Sequence, residues 1–98
     1  MLLDAALPEE DIEEIKDIIK SEPVITTYHY LQTREAGSHL FISVHTVFNV
    51  SISLYDAHLI ADRVEAKIKE LFVDKKSHIL IHMDPYDDSD MNEEEEEW

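Results

Sequence analysis

Apolar residues recur at helical spacing early in the chain, where Ile12, Ile15, Ile18 and Ile19 form one stripe. Pro8 suits a first helical position, and Glu9, Glu10 and Asp11 complement the positive end of a helix dipole, so a helix is predicted over 8–20, ended by Ser21-Glu22-Pro23. The pattern then changes. Val24 to Arg34 and His39 to Val50 are rich in Val, Ile, Thr and aromatic residues, as strands are. The single glycine, Gly37, lies between them, so a hairpin turning at Ala36-Gly37-Ser38 is predicted, with Gly37 supplying a positive φ. Helical spacing returns with Leu54, Ala57, Ala61, Val64, Ile68 and Leu71, preceded by Ser53 as N-cap with Asp56 at the third helical position, and this helix should run to about Phe72. A third strand is predicted from Ser77 to Asp84, stopped by Pro85.

The order αββαβ defines an α+β domain. A strand, helix and strand in succession favour a right-handed crossover between parallel strands, so the sheet should be three-stranded and mixed, with both helices on one face. Its other face is left bare, and a second copy of the chain is the simplest cover.

Charge narrows the functional classes. The 98 residues carry 23 acids against 8 bases, a net charge of -15. Eight acids and no base fall between Tyr86 and Trp98, leaving -7 for residues 1–85. The domain is therefore assigned to 1–85, and 86–98, with too little apolar material to fold, to a disordered acidic tail. An acidic body repels phosphate backbones, so no nucleic acid is expected as a partner. Without cysteine, any metal would have to be held by histidine and carboxylate ligands, and six histidines are available. A Gly-rich phosphate loop, a nucleophile elbow and a convincing Ser/His/carboxylate relay are all missing from the sequence, so an enzyme is not expected.

Strand alternation sorts the histidines. Leu40, Ile42 and Val44 make one apolar face of the second strand, so His45 points the other way with Phe41, Ser43 and Val47. A three-residue loop would pair position 35 with 39 and set His29 opposite His45; a two-residue loop would break this pairing. His82 and Asp84 lie two apart on one strand face, and His58 and Asp62 four apart on one helix face, which a solvated pair explains equally well. His39 and His78 are read as ordinary surface residues.

Five segments together resemble the cytoplasmic C-terminal domain of cation diffusion facilitator transporters: Leu2-Leu3-Asp4-Ala5-Ala6-Leu7-Pro8, the run His29-Tyr30-Leu31-Gln32-Thr33-Arg34-Glu35-Ala36-Gly37, His45, the helical Ala57-His58-Leu59-Ile60-Ala61-Asp62-Arg63-Val64-Glu65, and Ile81-His82-Met83-Asp84-Pro85. The resemblance covers residues 2 to 85 and departs from the usual pattern at Gln32, where a basic residue is common, and in the Glu-rich tail. It implies a metallochaperone-like, ferredoxin-like fold forming a V-shaped homodimer, with His29, His45, His58, His82 and Asp84 as ligands of zinc, or of another divalent ion such as Mn2+, Fe2+ or Co2+. It further implies a cytoplasmic regulatory domain attached to the transmembrane part of an inner (plasma) membrane cation/proton antiporter, with Leu2-Leu3-Asp4 just past the last membrane helix. A structural dimerisation module whose histidines hold no metal is the alternative.

Overall fold

The computed structural model describes residues 6–84. Its elements follow the order α1 (Glu9–Lys20), β1 (Ile25–Ala36), β2 (His39–Phe48), α2 (Leu54–Leu71) and β3 (Lys76–Asp84). The strands form one mixed sheet in the order β1-β2-β3, antiparallel between β1 and β2 and parallel between β2 and β3. No described helix is long and apolar enough to cross a membrane. The acidic segment 86–98 lies outside the described residues.

Helix α1 begins one residue later than expected, with Pro8 as the flanking residue at φ -56° rather than as the first helical one. The second helix starts where its signals predict: the Asp56 N–H donates to Ser53 Oγ at 3.0 Å, satisfying one of the amide groups a helix start leaves open. Ile15 and Ile19 of α1 and Val64 and Ile68 of α2 are fully buried against Leu40, Ile42 and Val44 of the central strand. Each such side chain contributes about 1.5–3 kcal/mol by leaving water. Ile60 joins the buried set and Leu54 does not, its side chain being 71% exposed, so the apolar stripe of α2 is rotated from the one read in the sequence.

Glu22, just past α1, is 4% exposed, and Arg63 of α2 holds it in a two-pronged contact, Nε to Oε2 at 2.7 Å and Nη2 to Oε1 at 2.8 Å. Those hydrogen bonds hold the carboxyl below the ordinary glutamate range; burial opposes them, and the charges of Arg63 and Lys67 add to the lowering. The pair ties the end of one helix to the middle of the other.

The outer face of the sheet carries no helix. The turn of the β1–β2 hairpin is the pair Gly37-Ser38, with Gly37 at φ 62°, one residue shorter than predicted. Ala36 therefore pairs with His39, and the same register continues to Gln32 opposite Ser43. Between His29 and Gln32 β1 then gains one extra residue, a β-bulge, and the pairing resumes with His29 opposite His45. The shorter turn was expected to break that pairing; the bulge restores it.

Candidate metal site

The central strand supplies His45 on the outer face, β1 supplies His29 directly across from it, and β3 brings His82 to the same level on its other side. The three imidazoles line up across the sheet with nearly parallel planes, His29 to His45 at 5.2 Å and 14°, His45 to His82 at 4.4 Å and 7°. Asp84, two residues along β3, accepts a hydrogen bond from His45 Nδ1 at 3.0 Å, with both side chains largely shielded from water. Thr46 Oγ1 donates to the His82 carbonyl at 2.9 Å and fixes the backbone from which His82 and Asp84 project.

One ligand atom each from His29, His45 and Asp84 lie within 4.8 Å of one another. Two imidazoles and one carboxylate suit zinc and similar borderline divalent ions. The carboxylate supplies the negative charge, and its half-burial strengthens the attraction for a cation relative to an exposed group. The structure thus brings three of the five expected ligands into one donor group. His82 stacks on His45 beside that group. His58 lies exposed on α2, as does Asp62, and is not part of it.

His39 and His78 occupy the far end of the same face and are more than isolated surface residues. His39 Nδ1 and His78 Nε2 are 3.0 Å apart while the ring centroids are 5.3 Å apart, so the rings meet edge to edge in a hydrogen bond. His78 lies against Phe41, with 4.7 Å between ring centroids, and the Arg34 guanidinium lies 4.1 Å from the Phe41 ring centre. Among the described residues no third ligand-type side chain joins that pair within comparable reach.

Sequence reasoning missed Tyr30. It sits in the bulge at φ 57° and sets its ring nearly perpendicular to His29, at 4.6 Å and 81°, and to His45, at 5.6 Å and 77°. A tyrosine in a run of strand-forming residues carries no signal of left-handed backbone; glycine or asparagine would have.

Residues 7–86 match the family model described as cation efflux protein, cytoplasmic domain. The chain belongs to that family. Over 84 residues, 86% of its length, this cation efflux domain is 43% identical to the cation-efflux pump FieF of Escherichia coli O1:K1 / APEC, and it spans 27% of that relative. Among solved structures it is similar to the zinc form of CzrB, at 28% identity and a TM-score of 0.67 over 85% of this chain and 93% of the other. The metal-bound C-terminal domain of CzcD from Thermotoga maritima, at 20% identity, shares the fold with a TM-score of 0.70 over 78% of this chain and 87% of that one. The αββαβ domain with its mixed sheet is therefore the fold of this family, which is one of transporter domains and not of enzymes.

Proposed function

We propose that this cation efflux domain is the metal-sensing and dimerising part of a divalent cation efflux transporter, with zinc the ion its ligands suit best and Mn2+, Fe2+ and Co2+ the alternatives. The observation that carries the reading is the convergence of His29, His45 and Asp84 from three strands on one point of the open sheet face. His82 stands beside them as a further ligand. His58, exposed on α2 among the uncovered apolar side chains of Leu54, Tyr55 and Leu59, is the ligand offered to the partner of a homodimer. Metal held between protomers would draw them together and bias the transmembrane domain attached in the full-length protein, a cation/proton antiporter of the inner (plasma) membrane. The metal supplies the cross-link; the chain's own residues orient the donors and shield them from water.

The named relatives support this reading, one being called a cation-efflux pump and another solved in a zinc form. Calorimetric titration with zinc near pH 7.5, combined with sedimentation with and without the ion, tests it. Saturable zinc uptake lost on replacing His45 and Asp84, together with a dimer at micromolar concentration, is expected. A dimer that takes up no zinc would leave the domain a structural dimerisation module, and a monomer under both conditions would overturn both readings.

A further inference from the structure

We infer that Tyr30 is a positioning residue for the His29–His45 pair, its strained backbone setting both the register and the ring orientation that the donor group requires. The inference rests on the metal reading above for its zinc readout and on geometry alone for the rest. A φ of 57° places Tyr30 in the left-handed region, which a bulky residue without glycine's freedom occupies only under constraint from its surroundings. The constraint is the bulge. Were the Ala36–His39 register to continue unbroken, Tyr30 would stand opposite His45 and His29 would turn to the helix-covered face. The left-handed residue absorbs the extra position, so His29 stands across from His45 while Leu31 still reaches the core.

The ring of Tyr30 adds a second effect. It meets two nearly parallel imidazoles edge-on at 81° and 77°, so rotation of either imidazole about its side-chain bonds runs into it. Rings held this way present their nitrogens toward Asp84 without a further loss of freedom when an ion arrives, which is how groups behind a ligand shell raise affinity. Strain at this one residue, beside the only group of three metal-ligand donors among the described residues, fits a backbone retained for the sake of the site rather than of the sheet.

Tyr30→Asn removes the ring but tolerates the left-handed backbone, whereas Tyr30→Phe keeps the ring. Three measurements on each variant decide the matter: zinc calorimetry, the melting temperature of the metal-free protein, and cross-relaxation between His29 and His45 ring protons by NMR. The Asn variant should bind zinc about tenfold more weakly, lose the His29–His45 ring contact, and melt no lower than the native chain. The Phe variant, which keeps the ring, should retain the His29–His45 ring contact. Unchanged affinity and an unchanged ring contact in the Asn variant would overturn the inference, as would a melting temperature lowered by many degrees along with the affinity, which marks a merely structural role. If the native chain takes up no zinc the metal reading falls, and the metal-free ring contact still decides whether Tyr30 orients the pair.

Discussion

His29 and His45 stand directly opposite one another although the turn joining their strands is one residue too short to put them there, and the bulge at Tyr30 makes up the difference. The alignment of the donor group thus depends on a local irregularity of β1 combined with the hairpin turn, and not on the turn alone.

Protons should compete with metal at this site. Imidazole ligates only in its neutral form and carboxylate only when ionised, so zinc binding should release protons and weaken as the solution is acidified. Calorimetry in buffers of different ionisation enthalpy checks this, and a proton release of zero at pH 6 would contradict it.

Replacing His82 and Asp84 together should weaken zinc binding by at least tenfold, since they supply one donor of the group and the ring beside it. His39→Ala should leave zinc binding within twofold, because its hydrogen bond to His78 lies outside that group. The reverse pattern would move the metal site to the other end of the sheet face.

Glu22→Gln should lower stability by about 1 kcal/mol, toward the weak end for charged hydrogen bonds because the guanidinium of Arg63 is half in water. The sign with pH follows from the lowered carboxyl pKa: the contribution is fully present above the unfolded glutamate value of about 4.3 and is lost as pH falls through the lower folded value. Denaturant titrations of the native chain and the variant should therefore stay apart at pH 7 and converge only as pH falls below the ordinary glutamate range.

In the core, Ile42→Ala should cost about 2–5 kcal/mol, since this residue is 1% exposed at the centre of the sheet and its removal leaves a cavity between both helices. Leu80→Ala, on the uncovered face at 55% exposure, should change the stability of the monomer by less than about 1 kcal/mol and is better read by sedimentation.

The elements were legible because their signals are local. Ser53 and Asp56 announce the start of α2, and alternation along Leu40, Ile42 and Val44 tells which way His45 faces. Register was not, because it depends on the sum of a turn length and a bulge, and each alters the pairing by one residue without a compositional sign. The His29–His45 pairing was foreseen from a three-residue loop, whereas the structure reaches the same pairing through a shorter turn and an extra residue in β1. The Glu22–Arg63 clamp was equally hidden, since 41 residues separate the partners and nothing in the local pattern at either position points to the other.

The parallel pairing of β3 with β2 also governs the order of events in folding. His29 and His45 meet through a short hairpin, but Asp84 lies 39 residues from His45 and arrives only after α2 has crossed over the sheet. Closing that long loop is slow compared with forming the hairpin, so the full donor group assembles late on the way to the native state. A bound ion should accordingly leave the folding rate nearly unchanged and act on the unfolding limb, so that zinc would lengthen the lifetime of the folded domain rather than hasten its appearance.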